Sequence, residues 1–210
     1  QWIGFFTANS LKKVPITGGA VLTLCSTGAA ARGASWGADG KIIFGTNLTT
    51  GLHQVSAAGG TPEDLTSPDT SKPEEIYNYW PEILPGGKAV LFVVGAGASW
   101  DDATIVVQRL DTGERKVLLQ GGTFPHYTPT GHLVYYRAGT MMAVPFDLDR
   151  LEARGSPAPV IEGVQSPGGN IGSAQFSISS AGSLAYIPGS PLGATSTLVW
   201  VDRRGAATPL

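Results

Sequence analysis

Short apolar runs separated by glycine-containing turns dominate the chain. Four turns end in glycine, and an apolar strand follows each of them. The turns are Ala38-Asp39-Gly40, Pro85-Gly86-Gly87, Pro129-Thr130-Gly131 and Ser180-Ala181-Gly182, and their last glycines recur at spacings of 47, 44 and 51 residues. A β repeat of this length is typical of propeller blades rather than of a single wound sheet.

The strands after these turns show short apolar runs rather than strict alternation of apolar and polar residues. This pattern favours strands that are buried on both faces of a sheet. No window keeps a 3.6-residue period over three turns, so we expect almost no helix. The sequence predicts an all-β chain that is a β-propeller or propeller fragment of about five four-stranded blades. The repeats span approximately 1–26, 27–67, 68–122, 123–165 and 166–210, and the first blade is incomplete.

Composition agrees with one repetitive β domain of 210 residues. The chain has 29 Gly, 15 Pro, a charged fraction of 14% and a formal net charge of -2. Its 14 basic residues are scattered, which excludes the usual footprint of a nucleic-acid partner. Cys25 is the single cysteine, so an internal disulfide is impossible, and its apolar neighbours favour a buried structural role.

The N-terminus lacks the pattern of a targeting signal. Gln1-Trp2-Ile3-Gly4-Phe5-Phe6 reads as the middle of a strand, without a basic start or a small-residue cleavage site. The longest weakly polar run, 89–98, is too short to span a bilayer. We therefore expect an internal piece of a larger protein that does not itself insert into a membrane.

Three phrases carry a family resemblance. They are Gly59-Gly60-Thr61-Pro62-Glu63-Asp64-Leu65-Thr66, Leu84-Pro85-Gly86-Gly87-Lys88-Ala89-Val90-Leu91-Phe92 and Val144-Pro145-Phe146-Asp147-Leu148-Asp149. The chain resembles the WD40-like, TolB-type propeller repeats of bacteria, and more narrowly the propeller region of some bacterial serine/threonine protein kinases. No kinase motif is present, so the resemblance does not imply kinase activity. It implies a periplasmic or extracellular location.

In that family the repeat continues past a stretch like 197–203, so the resemblance leaves ring closure open. Either the segment 197–210 pairs with the N-terminal strands, or open strand edges lead to self-association.

Several short patterns suggest chemistry, and each has a structural explanation. Gly33-Ala34-Ser35-Trp36-Gly37 matches the nucleophile elbow of hydrolases, but a turn and a strand follow it where an elbow requires a helix. The three histidines, His53, His126 and His132, do not show zinc-ligand spacing. Asp147 and Asp149 are better explained as turn-capping residues than as a glycosidase pair. We expect no catalytic residue, metal or cofactor.

The third repeat holds two long connections, 68–79 and 95–102, and long loops on a rigid scaffold commonly carry binding. Trp36, Trp80, Tyr127 and Phe176 precede their turns at similar distances, which indicates packing. Trp100 departs from that pattern and lies beside Asp101 and Asp102. These three residues are the candidate partner-binding site, with Trp100 as the anchor and the two acids setting charge preference.

The sequence therefore favours a non-enzymatic binding or sensory module whose protein or small-molecule ligand is unknown. One alternative is a propeller-scaffold enzyme, a lyase or glycosidase with its site at the channel mouth. Another is a structural domain that packs on the rest of its parent chain. A convergent cluster of His, Arg and carboxylates at one end of the ring would favour the enzyme.

Overall fold

The computed structural model describes residues 1–47, 49–69, 71, 75–95, 100–167, 171–189, 199–202 and 205–209. Within these ranges the chain forms twenty β-strands and one short 3₁₀ helix, Trp100–Asp102. The strands form five small antiparallel sheets. The predicted all-β propeller fold is confirmed, and so is the near absence of helix.

The first two sheets come from the N-terminal part of the chain. The first has three strands, which agrees with the predicted incomplete first blade, and the second has four. Their strands are β1 (Trp2–Thr7), β2 (Ser10–Pro15), β3 (Leu22–Ser26), β4 (Ala31–Trp36), β5 (Lys41–Thr46), β6 (His53–Ser56) and β7 (Glu63–Asp64).

The third and fourth sheets follow. The third has the order β11-β10-β9-β8, and in the fourth β14 pairs with β13, β15 and β16. Their strands are β8 (Tyr77–Ile83), β9 (Ala89–Gly95), β10 (Thr104–Arg109), β11 (Arg115–Gln120), β12 (Thr123–Thr128), β13 (His132–Arg137), β14 (Thr140–Asp147), β15 (Glu152–Ala153) and β16 (Ala158–Glu162).

The last sheet has four strands in chain order, namely β17 (Phe176–Ile178), β18 (Leu184–Tyr186), β19 (Val199–Val201) and β20 (Ala207–Pro209). The whole chain divides into two compact units. The first consists of Gln1–Ala96 and Arg109–Gly113, and the second of Gly97–Gln108 and Glu114–Leu210.

Each unit has its own apolar core. In the first unit, residues of β2, β3, β5 and β6 pack together, among them Leu11, Cys25, Ile42 and Phe44. Burial raises the pKa of the Cys25 thiol above its ordinary value, although a backbone hydrogen bond from Leu11 opposes this effect. In the second unit, Val134, Tyr136 and Met141 pack with Val164, Ala174 and Phe176.

The second strands of the second, third and fourth sheets are the most buried of their sheets. Every residue of β9 is buried, and all of β5 except Lys41 is buried. Both faces of these strands are therefore removed from water, as their continuous apolar runs predict.

The first strands of the second, third and fourth sheets share a β-bulge. The pairing register shifts within β4, β8 and β12, and each bulge contains a residue with positive φ: Gly33, Trp80 or Phe124. In the first unit two of these bulges meet. A Cβ atom placed on Gly33 would lie 2.7 Å from Trp80 Cε3 and 2.9 Å from Trp80 Cα. Only glycine allows β4 and β8 to approach so closely.

We predict that Gly33→Ala destabilises the fold more than Gly40→Ala does. Both glycines have positive φ, 90° and 78°, but a Cβ atom on Gly40 meets nothing within 4 Å. Gly40→Ala should lower the free energy of unfolding by about 1 kcal/mol through backbone strain alone. Gly33→Ala adds overlap with Trp80 and should cost about 3 kcal/mol. Urea unfolding of both variants measures the difference, and equal losses would contradict the close approach.

Candidate functional site

The predicted binding turn lies between β9 and β10 and is held in place through its backbone. Trp100 O accepts hydrogen bonds from Ala103 N, at 3.3 Å, and from Gly122 N, at 3.2 Å. Ala103 O in turn accepts from Gly121 N at 2.8 Å. Because the partners come from the connection before β12, the turn is fixed to a second part of the same unit.

The Trp100 indole is half-buried against the backbone of Gly172. A Cβ atom on Gly172 would lie 2.6 Å from both Cε2 and Cζ2 of the indole, so only glycine fits beneath the ring. Gly172 has a φ of +68°, and its carbonyl oxygen accepts a 2.7 Å hydrogen bond from Thr123 Oγ1. The aromatic ring thus packs on a segment of the second unit that a hydrogen bond links to β12.

Two acidic residues, Asp101 and Asp102, follow Trp100 in the turn. Asp102 is exposed, whereas the placement of the Asp101 side chain and residues 96–99 lie outside the described part of the chain. The structure therefore places a half-buried aromatic ring and an exposed carboxylate on one short, braced turn. The contact with Gly172 had no signal in the sequence beyond a glycine-rich segment that superficially suggests a phosphate loop.

The ends of the other long connection, predicted as 68–79, are fixed by a buried polar group. Because β8 begins at Tyr77, the last three of these residues belong to the strand and not to the connection. Residues 70 and 72–74 lie outside the described part of the chain. Before them, Thr66 Oγ1 accepts hydrogen bonds from Leu52 N, at 2.8 Å, and from the amide nitrogen of Asn78, at 2.7 Å. Gly51 lies so close to Thr66 that a Cβ atom there would overlap the Thr66 carbonyl. The connection therefore starts and ends at defined positions.

An aromatic and cationic group occupies the start of β8. The rings of Tyr77 and Tyr79 stack with centroids 4.5 Å apart and planes 8° apart. The Arg32 guanidinium carbon lies 5.9 Å from the centre of the Tyr79 ring. Burial raises the pKa of Tyr79, Arg32 opposes this effect, and Tyr77 reinforces it. Sequence reasoning did not single out Arg32, because the contact joins two sheets.

His53 lies in a hydrogen-bonded series that the sequence did not predict. Its Nδ1 lies 2.9 Å from Asp64 Oδ1, and its Nε2 lies 3.3 Å from Thr50 Oγ1. With the carboxylate accepting from Nδ1, a neutral imidazole accepts from the threonine hydroxyl at Nε2. His53 and Asp64 are cross-strand partners of β6 and β7. The contact with Thr50 links the same imidazole to the connection before β6.

The remaining histidines have different surroundings. His126 packs against the rings of Phe124 and Phe176, with centroid distances of 4.7 and 5.3 Å. His132 Nδ1 lies 3.1 Å from Thr130 Oγ1 in the turn before β13. Within the described ranges, no group of three or more His, Cys, Asp or Glu side chains is arranged to hold a metal ion.

Ser35 is not a nucleophile elbow. It lies within β4, a turn and β5 follow it, and its Oγ accepts a 2.9 Å hydrogen bond from Ile83 N. The predicted strand context is confirmed.

Asp147 caps its own turn, as the sequence predicts. Its Oδ1 accepts hydrogen bonds from Asp149 N, at 3.0 Å, and from Arg150 N, at 2.9 Å, and Arg154 contacts Oδ2. The hydrogen bond from Arg150 is the main cause that lowers the pKa of the Asp147 carboxyl, and desolvation opposes it.

A cavity of about 310 Å³ lies on the second sheet. Its lining includes Lys41, Gln54 and Glu63, and Gln54 donates a 3.0 Å hydrogen bond to Glu63. Nothing in the sequence indicated this cavity.

Among the residues that the structure covers, no helix is long and apolar enough to cross a bilayer.

We predict that Trp100→Ala lowers the free energy of unfolding by about 2 kcal/mol, roughly half the cost for a fully buried tryptophan. Trp200→Ala is the matched control, because Trp200 lies in the same unit and is 53% exposed. It should change stability little. A Trp100→Ala protein as stable as the wild type would contradict the packing on Gly172.

A double-variant cycle tests that contact directly. Gly172→Ala alone introduces both a strained φ and an overlap with the indole. In the Trp100→Ala background the overlap is gone, so the cost of Gly172→Ala should fall to about 1 kcal/mol. An unchanged cost would show that the ring does not lie on Gly172.

We predict that Asp147 stabilises the fold at neutral pH and less so in acid. Its folded pKa lies below the unfolded value of about 3.9, so its contribution is present above that pH and is lost as pH falls through the folded pKa. Asp147→Asn should therefore destabilise more at pH 7 than near pH 3 in urea unfolding. Asp149→Asn, in the same turn, is the control, and an equal loss at both pH values would contradict the prediction.

Comparison with known proteins supports the fold. No family model and no curated protein matches the sequence. The structure is similar to TolB from Acinetobacter baumannii (TM-score 0.69, 19% identity), covering 100% of this chain and 52% of that one. It is similar to a putative TolB from Agrobacterium tumefaciens (TM-score 0.71, 14% identity), covering 99% and 76%. Virginiamycin B lyase from Staphylococcus aureus also matches (TM-score 0.57, 14% identity), covering 100% and 65%.

The similarity to the first of these proteins extends over about half of its length. At these identities the likeness concerns the fold. The chain has the fold of the TolB-type and related β-propellers, as its repeat phrases predicted.

Proposed function

We propose that this chain is a non-enzymatic binding module of a larger bacterial protein, and that it engages a protein partner through the turn Trp100–Asp102. The observation that carries the proposal is the bracing of this turn. Backbone hydrogen bonds to Trp100 O and the packing of the indole on Gly172 brace the turn. A preorganised turn loses little conformational entropy when a partner binds.

The expected partner carries positive charge. Asp102 presents an exposed carboxylate, and the half-buried Trp100 lies on the same turn. A carboxylate attracts lysine and arginine side chains, and an indole face also attracts cations. A basic peptide segment therefore matches both groups of the turn.

The resemblance to TolB-type repeats supports an exported compartment, periplasmic or extracellular, for this module. It does not support a kinase role for the segment itself, because the phrases that carry it belong to the propeller repeat. Sensing on behalf of a parent chain is the form of binding that the narrower resemblance to kinase-linked propellers suggests.

The alternative is a propeller-scaffold enzyme. The observation in its favour is the series Asp64, His53 and Thr50, in which a carboxylate, an imidazole and a hydroxyl follow one another. A catalytic imidazole is commonly oriented by a carboxylate. However, the Asp64 side chain is 81% exposed, and these residues also form a cross-strand pair and its adjoining connection, which favours a structural role.

Panning the purified chain against a display library of random peptides tests the proposal. Enriched peptides should be rich in Lys and Arg, and their binding should weaken as ionic strength rises. Asp102→Asn should raise the dissociation constant about fivefold, within the range of an exposed ion pair. Asp149→Asn removes an exposed acid from another turn of the same unit and should leave binding unchanged.

Two outcomes would overturn this function. Peptides without a basic bias would refute the charge preference, and equal effects of Asp102→Asn and Asp149→Asn would refute the turn as the site. Trp100→Ala should weaken the same peptides by about 2 kcal/mol if the ring is buried in the complex. Because this change also lowers stability, binding is measured well below the melting temperature of the variant.

A further inference from the structure

Arg32 is a half-buried cation without a carboxylate partner in the described part of the chain. Its Nη1 donates a 3.0 Å hydrogen bond to the carbonyl of Ala31, and its guanidinium lies over the ring of Tyr79. The ion pairs among the described residues involve other side chains. A guanidinium carries five N–H donors, so most of its capacity to donate hydrogen bonds is left for a ligand.

The half-buried position of the Arg32 guanidinium has a cost in free energy. Partial removal of a cation from water carries a cost that an anionic partner normally offsets. The contact with the Tyr79 ring offsets part of the cost, because a cation over an aromatic face is attracted by the ring. A bound anion would supply the charge-assisted hydrogen bonds that the protein side chains do not.

The aromatic side chains beside Arg32 define what else the ligand carries. Tyr79 is buried, and Tyr77, stacked on it, is only half-buried. The accessible part of Tyr77 is a flat apolar surface that suits an aromatic or aliphatic group. Arg32 and Tyr77 thus both contact the Tyr79 ring at the start of β8.

The backbone around this cluster is fixed before any ligand arrives. Asn78, between the two tyrosines, is fully buried and donates to Thr66 Oγ1. Gly33, the residue after Arg32, lies against Trp80, the residue after Tyr79. The two strands that carry the cluster are therefore locked together at the next position along each chain.

We propose that Arg32, Tyr77 and Tyr79 form a binding site for a carboxylate attached to an aromatic or apolar group. The planar guanidinium matches a carboxylate with two parallel hydrogen bonds, and its single charge balances one carboxylate charge. A phosphate dianion would require further cations. The site includes no residue of the turn Trp100–Asp102, so it stands or fails independently of the function proposed above.

Isothermal titration of the 210-residue chain with hydrocinnamate tests the site. The matched amide, hydrocinnamamide, keeps the ring and loses the charge. Short peptides that end in Phe, with a free or an amidated C-terminus, distinguish a peptide terminus from a free small acid as the source of the carboxylate. We expect each acid to bind at least about tenfold more tightly than its amide, as charge-assisted hydrogen bonds imply.

Variants assign the binding to Arg32. Arg32→Gln should weaken the acid about tenfold or more and leave the amide unaffected, whereas Arg32→Lys, which keeps the charge and loses the planar fork, should lie between. Arg150→Gln removes an exposed arginine of the second unit and should have no effect. Circular dichroism shows whether each variant is folded. If Arg32→Gln does not fold, the affinity of Arg32→Lys and the comparison of acid with amide decide whether Arg32 binds the carboxylate.

Four results would overturn the proposal. The first three are no detectable binding of any acid to the wild type, equal binding of acid and amide, and acid binding that Arg32→Gln leaves unchanged. The fourth is preferential binding of inorganic phosphate over hydrocinnamate, which would refute a carboxylate site.

Discussion

Burial of whole strands on both faces is the constraint from which the rest of this structure follows. β9 exposes none of its side chains, and β5 exposes only its first. A strand of that kind is stable only if other layers cover its sheet on both sides, so a single four-stranded sheet of this sequence has no independent stability. Repetition of the unit supplies the missing layers, and this explains why similar turns and apolar runs recur along the chain.

Close packing of layers places strict demands on the backbone. The bulges in β4, β8 and β12 put Gly33, Trp80 and Phe124 at positive φ. Glycine adopts this conformation without cost, but a bulky aromatic residue does so only when its surroundings compel it. The local strain at Trp80 and Phe124 is therefore balanced by the packing of the rest of each sheet.

The sequence predicted what depends on neighbours along the chain. Turn glycines, strand runs and the cap at Asp147 all arise from local chemistry, and the structure contains each of them. The choice of Trp100 and Asp102 as candidates relied on local signals too, namely a large aromatic and acids in a long connection.

The remaining features depend on residues far apart in sequence. Gly172 beneath Trp100, Arg32 over Tyr79 and Asp64 beside His53 each join different connections or strands. Nothing in one segment specifies its partner in another, because several registers and loop paths would satisfy the same local pattern. The sequence could locate the two long connections, but it could not show that Trp100 in one of them packs on Gly172.

The contact between Trp100 and Gly172 couples two separate connections, so that a substitution at one position constrains the residue at the other. A chain that loses the glycine has no room for the indole, and a chain that loses the indole no longer needs glycine beneath it. Relatives of this protein should therefore keep or discard the two residues together. For the same reason, grafting the turn onto another propeller requires the segment around Gly172 to be transplanted with it.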